Sequence, residues 1–97
     1  MVKSIDGIKV EWSESKNALN VKKHGLSFET AALVFEDVNR VEFYDTVHSV
    51  GEDRYITIGI VNKLITVVYT ERVKALRIIS ARVATAAERK IYHGKNH

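Results

Sequence analysis

Three strand-like runs between Gly51 and Val83 constrain the fold more than any other feature of this chain. The runs are Arg54 to Val61, Leu64 to Glu71 and Ala75 to Val83. In the first run, Ile56, Ile58 and Ile60 alternate with other residues, which is the period of two expected of a strand. Asn62-Lys63 is typical of a tight hairpin turn into the second run. The sequence therefore predicts an antiparallel sheet with these isoleucines on its core face.

The first forty residues predict one strand and two short helices. Ile8 to Trp12 alternates apolar and polar residues. Ser13 and Ser27 are suited to cap the N-termini of the helices, and Gly25 to end the first helix. The expected polar face of that helix is Lys16, Asn17, Asn20, Lys22 and Lys23, and its expected apolar side is Ala18, Leu19 and Val21. We expect the two helices to form a hairpin.

A further strand, Arg40 to Asp45, a polar loop, Thr46 to Asp53, and a final helix beginning at Ala84 or Thr85 complete the predicted elements. The expected fold class is α+β. It consists of an antiparallel β-sheet, an N-terminal helical hairpin packed on one face and a C-terminal helix. The length fits a single domain, residues 1–97. The opposite face of the sheet is left partly open for a ligand.

Composition excludes several classes of protein. The chain has no cysteine, so disulfides and thiolate metal sites are excluded. The N-terminus lacks the apolar core of a signal peptide, and no run approaches the roughly 20 apolar residues of a membrane span. We therefore expect a cytoplasmic protein without a membrane partner.

The distribution of charge points to a polyanionic ligand. The net charge of +3 is ordinary, but Arg72 to Lys95 contains seven lysines and arginines against Glu88 as its one acidic residue. Four arginines lie near strand ends, at Arg54, Arg72, Arg77 and Arg82. The guanidinium group binds phosphate in a bidentate manner and stays charged, which favours nucleic acid. The alternative is that these arginines are solvated residues that discourage pairing between sheet edges.

Strand alternation limits how many arginines share one face. In the last strand Arg77, Ile79 and Ala81 fall on one face and Arg82 on the other. Arg77 and Arg82 therefore share a face only if a bulge or the strand end re-aims one of them.

Other candidate residues each have a functional and a structural interpretation. Tyr55 and Tyr69 could stack on bases, which contributes roughly 1–3 kcal/mol each in single-strand binders, or could simply lie on a half-buried sheet face. Lys23 is a candidate phosphate contact. His24 is an acid–base candidate or a helix C-capping residue. Glu71 is a candidate general base or one charge of a turn.

The sequence predicts no metal site and no cofactor. His48 has no carboxylate or histidine partner at a recognisable spacing. His93 and His97 are four residues apart, but Gly94 interrupts the helix and no third ligand is evident. The chain also lacks a glycine-rich phosphate loop and an acidic cluster for magnesium. A phosphodiesterase of this composition would need RNA, whose own 2′-hydroxyl attacks the adjacent phosphate while the protein supplies positioning, positive charge and a modest acid or base.

Four motifs, in this order, resemble the BrnT family of bacterial type II toxins. They are W-S-x-x-K-N-x-x-N-x-x-K-H-G-L-S-F-E-x-A (Trp12 to Ala31), G-E-D-R-Y-I-T-I-G (Gly51 to Gly59), V-V-Y-T-E-R (Val67 to Arg72) and R-I-I-S-A-R-x-A-T-x-x-E-R-x-x-Y (Arg77 to Tyr92). The resemblance runs from about Val10 to Tyr92, nearly the whole chain.

The resemblance implies a RelE-like fold and a ribonuclease that halts translation. It also implies neutralisation by a cognate antitoxin of the ribbon-helix-helix type, so that promoter DNA is bound only through the antitoxin. The family's basic and aromatic positions carry over to Lys23, Arg54, Tyr55, Arg72, Arg77 and Arg82. Glu88 and Tyr92 are possible counterparts of the base that RelE-type enzymes place late in the chain.

We therefore expect a metal-independent endoribonuclease toxin that leaves 2′,3′-cyclic phosphate ends. Arg54, Arg72, Arg77 and Tyr55 are the expected catalytic residues, and Lys23, Arg82 and Tyr69 the expected RNA contacts. Acid–base candidates of lower rank are His24, Glu71, Glu88 and Tyr92. The alternative is a non-catalytic basic module that binds nucleic acid or a protein partner, or a degenerate, inactive toxin.

Overall fold

The computed structural model describes residues 1–96 and shows a six-stranded sheet with three helices. The strands are β1 (Val2–Ile5), β2 (Ile8–Glu11), β3 (Val41–Tyr44), β4 (Tyr55–Val61), β5 (Lys63–Arg72) and β6 (Ala75–Val83). The helices are α1 (Glu14–His24), α2 (Phe28–Ala32) and α3 (Ala86–Lys95), and a 3-10 turn, Leu33–Glu36, follows α2. The strand order is β1-β2-β6-β5-β4-β3. His97, considered above with His93, lies outside the described residues.

The prediction of an α+β fold with a C-terminal helix is confirmed, but the expected N-terminal architecture is wrong in two respects. A β-hairpin, β1-β2, precedes the helices, so no helical hairpin begins the chain. The sheet is also mixed, because β2 and β6 run parallel while the other neighbours run antiparallel. The hairpin turns at Asp6-Gly7, whose φ angles are 52° and 80°. Asp-Gly favours this conformation in tight turns, so the missed strand had a local signal.

The predicted helix caps are confirmed. Ser13 Oγ accepts a hydrogen bond from the N–H of Lys16 at 3.4 Å, and Ser27 Oγ accepts one from Thr30 at 3.1 Å. Gly25 ends α1 in the left-handed region, with φ of 69°. Local side-chain chemistry therefore sets where each helix begins and ends.

Different helices cover the two faces of the sheet. On one face, called here the helical face, α1 and α2 cover a core that includes Phe28, Phe35, Val67 and Ile78. On the other, called here the open face, α3 covers part of β4, where Ile58 packs with Ala84 and Tyr92. The rest of this second face is open to a ligand.

None of the helices within residues 1–96 has the length and apolar character of a membrane-spanning helix.

The predicted orientation of β4 is wrong, because its isoleucines do not face the core under α1 and α2. Gly59 pairs with Ile65 on the helical face, so the alternate residue Ile58 lies on the open face, under α3. A Cβ atom added to Gly59 would lie 2.7 Å from Cγ2 of Val34. Glycine at this position therefore allows the 3-10 turn to approach the strand closely.

Helix α1 contacts the sheet through a polar residue rather than through its apolar side. Leu19 and Val21, the predicted apolar side, are 65% and 45% exposed, whereas Asn20 is buried. The amide of Asn20 donates to the carbonyls of Leu26 and Ala81, both at 2.8 Å, and accepts from the N–H of Ala81 at 3.2 Å. Ala81 lies in a part of β6 that β2 does not reach, so Asn20 provides the partner that a neighbouring strand would otherwise supply.

We expect Asn20→Ala to lower the free energy of unfolding by about 2–4 kcal/mol, because each buried group left without a partner costs about 1–3 kcal/mol. Urea unfolding followed by the fluorescence of the buried Trp12 measures this change. The control is Leu19→Ala on the same helix, which should stay within about 0.5 kcal/mol of the wild type because Leu19 is exposed. Equal effects of the two substitutions would contradict the bridging role of Asn20.

Candidate functional site

A β-bulge in β6 places Arg77 and Arg82 on the same face of the sheet. Val68 of β5 pairs with Ser80, but the next residue, Tyr69, pairs with Ile78, so Ile79 is an extra residue in β6. The bulge shifts the alternation by one position, and Arg77 therefore lies on the open face together with Arg82. This is the exception that strand alternation required for the two arginines to share a face.

The strand register adds the remaining two arginines to this face. Arg54 immediately precedes β4, and extending the β4–β5 register places it opposite Thr70, which pairs with Arg77. Arg54 and Arg77 are thus two strands apart, roughly 10 Å, since neighbouring strands are about 4.8 Å apart. Arg72 lies two residues beyond Thr70 on the same face. The open face therefore carries the four arginines that the sequence singles out.

A groove of about 370 Å³ lies on the open face between Arg54 and Arg82. The other residues that line it are Asp45, Val47, His48, Ile56, Val68 and Ser80. Ile56, Val68 and Ser80 occupy one row across β4, β5 and β6 and form the floor. This floor is mostly apolar and lies between two guanidinium groups. It suits a sugar–phosphate backbone, because the sugar can contact the floor while the phosphate contacts the guanidinium groups.

Glu88 fixes the position of Arg82. Arg82 donates two hydrogen bonds to the Glu88 carboxylate, at 2.6 and 2.9 Å, and the same carboxylate accepts from Thr66 Oγ1 at 2.8 Å and Thr85 N–H at 2.9 Å. Burial acts to raise the pKa of Glu88, but these hydrogen bonds outweigh it and lower the pKa to about 2. Glu88 is therefore a weak proton acceptor, which favours a positioning role over catalysis.

Arg54 is the most available of the four arginines for an anionic ligand. Arg77 pairs with Glu11 at 2.7 Å, and Arg72 pairs with Glu52 at 3.3 Å. Within residues 1–96, Arg54 has no carboxylate oxygen within 4.0 Å. A phosphate that approaches Arg54 therefore does not have to displace an internal partner.

The two candidate stacking tyrosines lie on the helical face, away from the groove. Tyr69 is buried, its ring is in edge-to-face contact with Phe35, and its hydroxyl donates to Glu42 at 2.6 Å. Burial and the bond to Glu42 raise the pKa of Tyr69. Tyr55 stacks on Tyr69, with ring centroids 5.7 Å apart. This packing favours the structural interpretation for Tyr69, and it separates Tyr55 from Arg54, its neighbour in the chain.

Two of the acid–base candidates are also remote from the groove. The hydroxyl of the buried Tyr92 donates to Asp37 at 2.7 Å, and burial together with this bond raises the pKa of Tyr92 to about 12. Glu71 is exposed on the helical face, next to Tyr55. The pKa of Tyr55 is raised, mainly because the side chain is partly buried and to a smaller extent because the negative charge of Glu71 is nearby. These contacts favour structural roles for Tyr92 and Glu71.

Lys23 and His24 lie beside the part of β6 that β2 does not reach. Both are exposed in the last turn of α1 and line a cavity of about 220 Å³ together with Ile79 and Ser80. Ser80 borders this cavity and the groove, so the two are adjacent across β6. Lys23 is therefore placed to contact a nucleic acid that extends past the groove.

The sequence interpretation missed one group in the groove. His48 lines it, and its Nδ1 lies 3.0 Å from Oδ2 of Asp45, which is buried. Asp45 Oδ1 also accepts the backbone N–H of His48, at 3.2 Å. An aspartate three residues before a histidine can form such a turn, so the spacing D-x-x-H was the available signal.

Comparison with known proteins identifies the class of protein that has this fold. The family model described as "Ribonuclease toxin, BrnT, of type II toxin-antitoxin system" matches residues 12–88. The crystal structure of the Brucella abortus ribonuclease toxin BrnT is 30% identical, with a TM-score of 0.64 over 86% of this chain and 99% of that chain. The curated proteins contain no match. The fold is that of a ribonuclease toxin, and the chain belongs to the BrnT family.

We expect Glu88→Gln to destabilise the protein more at pH 7 than at pH 3. The lowered pKa of Glu88 means that its ionised form stabilises the folded state above about pH 5, and that this contribution is lost as the pH falls towards 2. A loss of about 1 kcal/mol at pH 7 corresponds to a decrease in the melting temperature on the order of 5 °C. Calorimetry at the two pH values measures the difference.

The control for this prediction is Glu36→Gln, since Glu36 is exposed at the end of the 3-10 turn. It should have little effect at either pH. A decrease for Glu88→Gln that is as large at pH 3 as at pH 7 would contradict the ion pair as its cause.

Proposed function

We propose that this chain is a metal-independent endoribonuclease toxin that cleaves RNA by attack of the 2′-oxygen and leaves a 2′,3′-cyclic phosphate. The observation that carries the proposal is the groove on the open face, with Arg54 on one side and Arg82 on the other. Membership of a family of ribonuclease toxins supports RNA as the substrate.

Both arginines have donors free for a phosphate. Arginine has five N–H donors, of which Arg82 uses three, two on Glu88 and a long one of 3.5 Å on the carbonyl of Val83. Because Glu88 holds the guanidinium group in place, Arg82 loses little side-chain entropy when RNA binds. Arg54 supplies the second set of donors from the opposite side of the groove.

This arrangement suits the transition state of 2′-oxygen attack. Attack turns the phosphate into a pentavalent centre with additional negative charge, and the guanidinium groups of Arg54 and Arg82 stabilise that charge more than they stabilise the bound substrate. The groove also holds the sugar and phosphate in one orientation, which favours an intramolecular attack. Arg72 and Arg77 extend the positive surface along the neighbouring nucleotides, and Lys23 extends it beyond β6.

Among residues 1–96, no group of three or more histidine, cysteine, aspartate or glutamate side chains is arranged to hold a metal ion. The proposed mechanism therefore assigns the neutralisation of charge to the arginines. Cleavage that persists in a chelator is the direct test of metal independence.

We further propose that a DNA-binding antitoxin of the ribbon-helix-helix type neutralises the protein, and that promoter DNA is bound through this antitoxin. The family's assignment to type II toxin–antitoxin systems supports the proposal. The apolar residues of α2 do not provide the docking surface, because Phe28, Ala31 and Ala32 are buried in the protein's own core.

One observation favours a second candidate, a module that binds RNA without cleaving it. Three of the four arginines, Arg72, Arg77 and Arg82, already pair with carboxylates. Such pairs are also common on surfaces that have no catalytic role. The two candidates differ in whether the RNA is cleaved.

Purified protein incubated with a mixed-sequence RNA in EDTA should produce fragments that end in 2′,3′-cyclic phosphate. The same RNA with 2′-O-methyl groups should remain intact, because its 2′-oxygen cannot lose a proton and attack. Arg54→Ala should lower kcat/KM about 10²–10³-fold, the usual loss when one group that stabilises the transition state is removed. End-group analysis and initial rates measure both effects.

The matched control is Arg89→Ala, which removes the same charge from an exposed position on α3. Its rate should stay within a few-fold of the wild-type rate. If both substitutions reduce cleavage equally, net charge rather than the groove controls activity. Intact RNA in every reaction would contradict cleavage of free RNA and favour the binding module or a toxin that acts only on the ribosome.

A further inference from the structure

We propose that His48, oriented by Asp45, is the general base that accepts the proton of the attacking 2′-hydroxyl. This inference rests on the proposed function and assigns the proton acceptor that the arginines leave open. Its basis is that one groove contains an imidazole, a buried carboxylate that orients it, and the two guanidinium groups assigned to the phosphate.

The hydrogen bond to Asp45 determines which nitrogen of His48 is available. Nδ1 lies 3.0 Å from Oδ2 of Asp45, and a carboxylate is an acceptor, so in the neutral ring Nδ1 carries the proton and donates it. Nε2 then has the free lone pair. A base whose ring is oriented by a carboxylate through its other nitrogen is the arrangement that activates hydroxyl nucleophiles in many enzymes. The side chain of His48 is 66% exposed, so a substrate can reach it.

The loop that carries His48 is tied directly to Arg54. Asp45 N–H donates to the carbonyl of Arg54 at 2.9 Å. Ser49 Oγ donates to the carbonyl of Asp45 at 2.6 Å and accepts the N–H of Arg54 at 2.9 Å. These three bonds close the base of the loop between β3 and β4. The backbone of Arg54 is therefore held next to the loop that carries the proposed base.

The other acid–base candidates do not compete for this role. Glu88 is held by Arg82 with a pKa of about 2, and the hydroxyl of Tyr92 is buried against Asp37. Glu71 lies on the helical face, and His24 lies beside the part of β6 that β2 does not reach. Of these candidates and His48, only His48 lines the groove between Arg54 and Arg82.

The proposed step transfers one proton and exchanges one bond at phosphorus. Nε2 of His48 takes the proton of the 2′-hydroxyl as the 2′-oxygen forms its bond to phosphorus. The bond from phosphorus to the 5′-oxygen then breaks, and this oxygen takes a proton from water. His48 returns its proton to solvent, so the protein is unchanged and the RNA ends in a 2′,3′-cyclic phosphate and a 5′-hydroxyl.

Three charged side chains line the groove together with His48: Asp45, Arg54 and Arg82. Only the neutral ring can accept a proton. If His48 is the base, we therefore expect the rate of cleavage to rise with pH and then to level off.

The test compares kcat/KM for cleavage in EDTA from pH 5 to pH 9 for the wild type, His48→Gln, Asp45→Asn and His93→Gln. His48→Gln should lower the plateau about 10²–10⁴-fold, the usual contribution of general acid–base catalysis, and abolish the rise with pH. Asp45→Asn should retain the rise at a lower rate. The control His93→Gln changes an exposed histidine on α3 and should leave the profile unchanged.

Three further measurements separate a base from a binding or structural role. The affinity of His48→Gln for 2′-O-methyl RNA and its melting temperature should both equal those of the wild type. Added imidazole should restore part of the cleavage by His48→Ala. A His48→Gln variant with the wild-type rate and pH profile would overturn the inference while leaving the proposed function intact. A wild-type protein that does not cleave the RNA would overturn both this inference and the proposed cleavage of free RNA.

Discussion

The pairing of β5 with β6 is the interaction on which both faces of the sheet depend. These strands are the longest in the protein, and their register contains the bulge at Ile79. Before the bulge Arg77 lies on the open face, and after it Ala81 lies on the helical face, where Asn20 bonds to it. Without the extra residue, the alternation of β6 would direct either Arg77 or the partner of Asn20 to the wrong side.

Carboxylates organise the charged face as much as the arginines do. Glu88 and Asp45 are both largely buried. Glu88 holds Arg82 and Asp45 holds His48, and both of these partners line the groove. This arrangement lets the protein keep Arg82 and His48 in place before RNA arrives, so that little ordering is left for the binding step. Arg54 is held differently, through backbone hydrogen bonds at the base of its loop, which leave its guanidinium group available.

Features set by local chemistry could be predicted from the sequence, and those set by distant contacts could not. Ser13, Gly25 and Ser27 act on their own helix ends, so their roles follow from nearby residues. The local sequence predicts a solvent face for Asn20, because its partner, Ala81, is 61 residues away. The sequence showed only that Arg77 and Arg82 need a bulge, or the end of the strand, to share a face. It did not show that a bulge is present, because no local sequence signal requires one. The pair of Asp45 and His48 is local, and it was missed because a spacing of three in a loop is rarely informative.

The most direct test of this account is a crystal structure of the protein with a short 2′-O-methyl RNA, which cannot be cleaved. One phosphate should lie between Arg54 and Arg82, with its sugar on Ile56 and Val68. Its 2′-oxygen should lie within hydrogen-bonding distance of Nε2 of His48. RNA bound on the helical face, or along the outer edge of β3, would contradict the claim that the open face is the site of cleavage.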